Sequence, residues 1–305
     1  MTSQARGSGA RHEDVRVAGR PVERLDSAPG MGGAFARALV PSGRGGSPRI
    51  PERVAIIDRQ RQDRARLAEY ARTCGMTVRD SVPATWIHVL TFPLHVHLLS
   101  DRESSVRLVG AVHVSNEMTL LRPVTADEDL ELSVHLADLR PHRRGALVDL
   151  VGTARAGEEI VWTGVSTYLS QSTHVDGEPA ERDRLPFAPA APHARWRLTA
   201  DLGRRYRRVS RDPNPIHTSR IAARAFGFPR PIIHGMWTHA RALAALEGRL
   251  PDAYSARVDF LKPIALPSTV GFRSGAVAGG HSAAVTDRAG TTPHMLMSVT
   301  EANAT

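Results

Sequence analysis

A short internal echo limits what this chain can fold into more than any single motif does. Leu121-Arg122-Pro123-Val124 returns as Leu261-Lys262-Pro263-Ile264, 140 residues later. Tyr70 and Tyr206 stand 136 residues apart, and an apolar helical stretch separates tyrosine from echo both times. Repeated order at near-constant spacing reads as a duplication: two helix-then-sheet units in one chain, paired with each other.

Local patterning supplies the elements. Arg61 to Cys74 is amphipathic, with Leu67, Tyr70 and Ala71 among its apolar positions and Gly75 as a stop signal. Trp86 to Leu99 is apolar and of helical length, interrupted at Pro93. Strand-like alternation follows at Val106–Val114, Met118–Leu121, Leu130–Leu136, Ala146–Ala154 and Glu159–Leu169, which predicts an antiparallel sheet. Residues 171–195 carry Pro, Ala, Asp and Glu without periodicity and read as a linker. The second half repeats the plan: a short helix ending near Tyr206, a loop, two helices, then strands from Ala256 onward. The expected division is a largely irregular segment 1–50 with a short helix near Ala34–Leu39, a first unit 51–170, the linker, and a second unit 196–305. Gly30-Met31-Gly32-Gly33 has no strand before it, so it reads as a turn and not as a dinucleotide loop.

Composition removes several classes. A single cysteine, Cys74, excludes a disulfide framework and any multi-cysteine zinc site. The apolar runs are shorter than the roughly 20 residues of a membrane span. The net charge of +9 looks like a nucleic-acid footprint, but the arginines are scattered and form no basic run. Lys262 is the only lysine, and this Arg-for-Lys bias with high Ala, Gly and Pro reflects coding composition, so no nucleic-acid partner is expected. The N-terminal residues lack the apolar core of a secretory signal, so the expected location is cytoplasmic.

The chemistry is concentrated in Tyr206 to Leu246. In Ser210-Arg211-Asp212-Pro213-Asn214-Pro215-Ile216-His217, Asn214 followed by Pro215 is an N-cap with proline at the first helical position. Ile216 to Phe226 can run helical to Gly227. Asp212 and His217 are thereby held together beside a helix N-terminus, where the dipole favours carboxylate and neutral imidazole. Such a pair can hold and polarise a water. In Pro231-Ile232-Ile233-His234-Gly235-Met236 a largely apolar helix starts at Gly235. Its unpaired N–H groups, with no Cβ in the way, form the geometry of an oxyanion hole.

These two segments resemble the MaoC-like dehydratase family, the (R)-specific or type 2 enoyl-CoA hydratases. That signature is close to S-G-D-x-N-P-[ILV]-H followed by P-I-x-H-G-M. The likeness is specific over Tyr206–Leu246 and looser across 196–305. It implies an α+β double hot-dog, each unit a long central helix wrapped by an antiparallel sheet. It also implies reversible syn addition of water to a trans-2-enoyl thioester, giving the (3R)-3-hydroxyacyl thioester. Carried over by position, Asp212 and His217 bind the catalytic water, Asn214 supports them, and the Gly235 N–H holds the thioester oxygen. Ser210, Tyr206 and His234 take supporting places. No metal and no cofactor is implied. The substrate is an acyl-CoA or acyl-carrier-protein thioester, whose phosphates or acidic surface suit a basic protein. The assembly is a monomeric double hot-dog or a homodimer.

Arg211 departs from the family pattern, which has glycine there. A positive φ at this position would strain an arginine. The first unit has no D-x-N-P-x-H after Tyr70, so one active site per chain is expected, with the first half shaping an acyl tunnel. The alternatives are a thioesterase on the same fold and a non-catalytic subunit that binds acyl groups or carrier protein. His95 and His97 point to different helix faces and are not read as metal ligands. Gly280-His281-Ser282 has no helix after it and is not read as a nucleophile elbow.

Overall fold

The computed structural model describes residues 16–17, 19–33, 47–107, 110–179 and 183–302, so the expected helix at Ala34–Leu39 lies outside them. The first half runs β1 (Arg16–Val17), β2 (Arg20–Leu25), β3 (Val54–Gln60), α1 (Arg64–Cys74) and α2 (Ala84–Leu99). It continues through β4 (Ala111–Leu120), β5 (Leu130–His142), β6 (Gly145–Ala156) and β7 (Glu159–Ser170). The second half has β8 (Ala194–Leu198), α3 (Leu202–Ser210), a 3-10 turn (Pro215–His217), α4 (Arg220–Ala225) and α5 (Gly235–Ala244). It closes with β9 (Tyr254–Phe260), β10 (Ser268–Val277), β11 (Gly280–Thr286) and β12 (Pro293–Glu301).

The twelve strands among the described residues form one sheet, ordered β1-β2-β3-β5-β6-β7-β4-β9-β12-β11-β10-β8. The order β3-β5-β6-β7-β4 is mirrored by β8-β10-β11-β12-β9, and the halves meet where β4 pairs antiparallel with β9, Met118 opposite Ala256. Each half wraps one helix. α2 is apolar on every side and almost wholly buried, as a helix enclosed by a curved sheet must be. α5 holds the matching place and buries Met236, Trp237, Ala240 and Leu243. This is a double hot-dog.

The two-fold relation is written in backbone hydrogen bonds. Val82 N–H donates to the Val124 carbonyl at 2.8 Å, and Ile233 N–H donates to Ile264 at 2.9 Å. Thus the Leu-x-Pro echo returns the chain to the start of each central helix. The match aligns Pro83-Ala84 with His234-Gly235, and Trp86 and His88 with Trp237 and His239. On the outside, α1 packs against α3, with the Tyr70 and Tyr206 rings 6.0 Å apart.

Several expectations change. Residues 1–50 are not simply irregular, because β2 lies among them and pairs parallel with β3. Pro93 does not interrupt α2; burial on all sides holds the helix together through a residue that costs about 3 kcal/mol in an exposed helix. Val106–Val114 and Met118–Leu121 are not two strands: β4 runs from Ala111 to Leu120, with a bulge between His113 and Ser115 against β7. Ile216–Phe226 is two short pieces, because Ser219 caps a new helix by accepting from Ala222 N–H. The stretch after β7 is irregular yet tied down: Leu185 N–H donates to Asp259 Oδ2 at 2.9 Å and Arg257 pairs with Asp183. Among the described residues no helix is long and apolar enough to cross a membrane.

Candidate active site

The site lies on a loop that only the second unit has. In the first unit, eight residues lead from Gly75, the αL cap of α1, to Pro83 before α2. In the second, twenty-three lead from Arg211, the αL cap of α3, to His234 before α5. Arg211 has φ 60 and ψ 15, and its N–H donates to the Arg207 carbonyl. The positive φ expected at the family's glycine position is therefore present, occupied by a residue that pays about 1–2 kcal/mol to adopt it.

From that cap the loop is built by side chains that close onto nearby backbone. Asp212 Oδ1 accepts from Asn214 N–H at 2.9 Å, an Asx-type turn. Asn214 Oδ1 accepts from Ile216 N–H at 3.3 Å and starts the 3-10 turn, with Pro215 in the first position. Ser210 Oγ accepts from Asp212 N–H at 3.3 Å. The turn is pressed onto α3 at Gly203, where a Cβ would lie 2.1 Å from the His217 carbonyl oxygen. No motif pointed to Gly203; only the close approach of two backbones shows why it is glycine.

His217 Nδ1 is 2.8 Å from the Ile232 carbonyl oxygen. A carbonyl only accepts, so Nδ1 carries the proton and the neutral ring presents the lone pair of Nε2. That Nε2 is 3.9 Å from Asp212 Oδ2, and His234 Nε2 is 3.7 Å from the same oxygen. Both separations are too long for direct hydrogen bonds and suit one bridging water. Asp212 keeps 19% of its side chain exposed, so the carboxyl is reachable. Burial pushes its pKa up, against the pull of His217 and the Asn214 N–H. Burial pushes His217 down, partly offset by Asp212 and the Ile232 carbonyl, and holds His234 well below the usual imidazole range.

Asp212, His217 and His234 offer ligand atoms within 4.8 Å of one another. The two imidazoles, however, lie face to face with centroids 3.6 Å apart and planes 23° from parallel. Their in-plane lone pairs do not converge at the roughly 2.0–2.1 Å of a metal–nitrogen bond. The arrangement suits a water and not an ion.

α5 begins beside this group. No side chain caps its N-terminus, so its first N–H groups remain available. A Cβ on Gly235 would come within 3.0 Å of the Phe260 ring, so glycine lets this helix end and that ring meet. All seven residues singled out from the sequence gather here. Asp212, His217, Asn214, Ser210, His234, Tyr206 and Gly235 all line one cavity of about 460 Å³. Tyr206 acts from behind, its ring 4.8 Å from His234, while His234 comes as near to Asp212 as His217 does. The opposite wall, with His88, Phe92, His113 and Tyr168, comes from the first unit. Sequence reasoning named none of these as site residues; the Trp-x-His pattern shared by α2 and α5 picks out His88 alone.

Comparison with known proteins places this architecture. The MaoC like domain matches residues 175–294. The 3-hydroxyacyl-thioester dehydratase X of Mycobacterium tuberculosis is 37% identical over 251 residues, spanning 82% of this chain and 90% of that protein. The crystal structure of HtdX from the same organism superposes with a TM-score of 0.73 at 35% identity, covering 82% of this chain and all of that one. A MaoC-like dehydratase from Phytophthora capsici shares the fold, with a TM-score of 0.69 at 18% identity over 84% of this chain and 97% of its own. The chain belongs to the MaoC-like dehydratase family. It is an enzyme of the hydro-lyase class.

Proposed function

We propose that this enzyme catalyses the reversible hydration of trans-2-enoyl thioesters to (3R)-3-hydroxyacyl thioesters, at one active site per chain in the second unit, 196–305. The observation that carries the reading is the aim of Asp212 Oδ2 and His217 Nε2, 3.9 Å apart, into a cavity beside the uncapped start of α5. In the hydration direction a water held between these groups bonds through its oxygen to C3. One group of the pair takes a proton from the water as the C3–O bond forms, and a proton is then returned from the pair to C2, so that both groups end in the protonation states in which they began. Both act from one side of the substrate, which makes the addition syn. The Gly235 N–H stabilises the negative charge that develops on the thioester oxygen. Because the thioester carbonyl already acidifies C2, proton transfer and charge stabilisation suffice.

Asn214 keeps Asp212 oriented by occupying Oδ1, which leaves Oδ2 for the water. The first unit, 51–170, supplies the far wall of the substrate cavity. Arg144 and Lys262 line the same cavity and are exposed, so they suit the phosphates of a CoA or carrier-protein thioester.

The test is loss of enoyl-thioester absorbance with crotonyl-CoA and a long-chain trans-2-enoyl-CoA, followed by chiral analysis of the product. A (3R) product from wild type that is lost in Asp212→Asn supports the reading. Release of free thiol with the double bond intact would replace it with a thioesterase. A (3S) product, or full activity in the variant, overturns the assigned site.

A further inference from the structure

The wall that the first unit gives to the cavity is not a greasy tunnel. His88 and His95 lie seven residues apart on α2, on one face with Phe92, and their rings meet edge to face at 5.3 Å. His113 on β4 lies 6.0 Å from His88 and stacks on Tyr168 of β7 at 4.5 Å, with planes 9° apart. The group is continuous with the reacting end of the site. Phe260, whose ring lies against Gly235, is 5.1 Å from His113, and Tyr168 is close enough to feel the charge of Asp212.

One ring nitrogen of this group faces the cavity without a partner inside the protein. His113 Nε2, at the cavity wall, is buried with no hydrogen bond, as is His95 Nδ1 behind it, and the cavity is also lined by His88 and Tyr168. Buried polar atoms are nearly always satisfied, and an exception at a substrate cavity points to the substrate. Burial pushes His88 down to about 4 and holds His95 and His113 well below their usual range. Each imidazole is then neutral, with one N–H donor and one lone pair. That set matches a neutral oxygen, which can accept and, as a hydroxyl, also donate. A plain alkyl chain would leave His113 Nε2 unpaired.

We propose that this wall, centred on Tyr168, His88 and His113, recognises a hydroxyl or keto oxygen carried on the acyl chain beyond the reacting carbons. The inference rests on the hydration reading and narrows its substrate class to oxygen-bearing enoyl thioesters.

The experiment compares kcat/KM for trans-2-octenoyl-CoA with its 5-hydroxy, 7-hydroxy and 7-keto derivatives. Wild type should favour at least one oxygenated chain by about tenfold, the size of one hydrogen bond retained in the transition state. Tyr168→Phe, which keeps the ring stacked on His113, and His88→Leu should lower that ratio several-fold. The plain chain serves as the internal reference. A preference for the plain chain, or a ratio that neither variant moves, overturns the inference and leaves the hydration reading standing. Failure to hydrate any of the four overturns the hydration reading itself.

Discussion

At the start of α2 stand Pro83 and Ala84, where α5 has His234 and Gly235. The scaffold around the two positions is alike. The same backbone hydrogen bond, from Val82 to Val124 or from Ile233 to Ile264, ties the chain just before the helix to the Leu-x-Pro segment. The same tryptophan and histidine follow two and four residues later, Trp86 and His88 after Ala84 against Trp237 and His239 after Gly235. What separates them is a proline without an N–H in place of a histidine, and the loop from Asp212 to Pro231. The duplicated scaffold is thus indifferent to chemistry. In the proposed reading, reactivity is concentrated in one loop and one helix start, and the sister unit serves as a wall.

The comparison can be broken first at Asp212. Asp212→Asn keeps the turn, because an amide oxygen can still accept from Asn214 N–H, and should lower kcat by about 10³-fold. A steady-state assay with unchanged thermal melting checks it; an effect of only tenfold would mean that the two units differ less in chemistry than their loops do. The helix starts give the next contrast. Gly235→Ala pushes a methyl onto the Phe260 ring and should cost about tenfold or more in kcat. Ala84→Gly at the matching place should leave kcat unchanged and lower stability by about 1 kcal/mol.

Acid sharpens the contrast differently. His88 is pushed down to about 4 and His239 to about 3, and His95, His113, His217 and His234 are lowered as well. The unfolded chain binds these protons near pH 6.5 and the folded chain does not, so stability is full above that pH and drains as pH falls. Each such histidine contributes roughly 1 kcal/mol per pH unit. Chemical denaturation at pH 7, 6 and 5 should show a steep loss that His239→Leu reduces; a flat profile would mean the imidazoles are already protonated in the fold. The smallest effect belongs to the two αL caps. Arg211→Gly should stabilise the protein by about 1 kcal/mol, read as a raised melting temperature. Gly75→Arg should destabilise by more, because its Cβ would collide with the Arg241 side chain.

The contrast also explains what could be read in advance. Asn214-Pro215, Gly235 and Gly75 are local signals, each tied to a cap whose physics spans a few residues, and each stands where the pattern placed it. The unit plan was legible because the Leu-x-Pro echo sits at a turn the sheet cannot do without. The far wall was not legible. His88, His113 and Tyr168 meet only when α2, β4 and β7 close on one another, and nothing in the spacing of a helix and two strands says which faces will converge. β2 was hidden for a related reason: it is a short strand between the two-residue β1 and β3, half-exposed, with weak alternation. Pro93 misled because propensity is a local cost, and the enclosure that outweighs it is a property of the whole sheet.

The seam between β4 and β9 has one more consequence. Because a single chain supplies both sides of the cavity, completing the site is not governed by mass action. A pair of separate units would lose its cavity as they came apart, whereas here specific activity should stay constant down to nanomolar enzyme. Each half can also change its residues without altering a copy of itself elsewhere in the site.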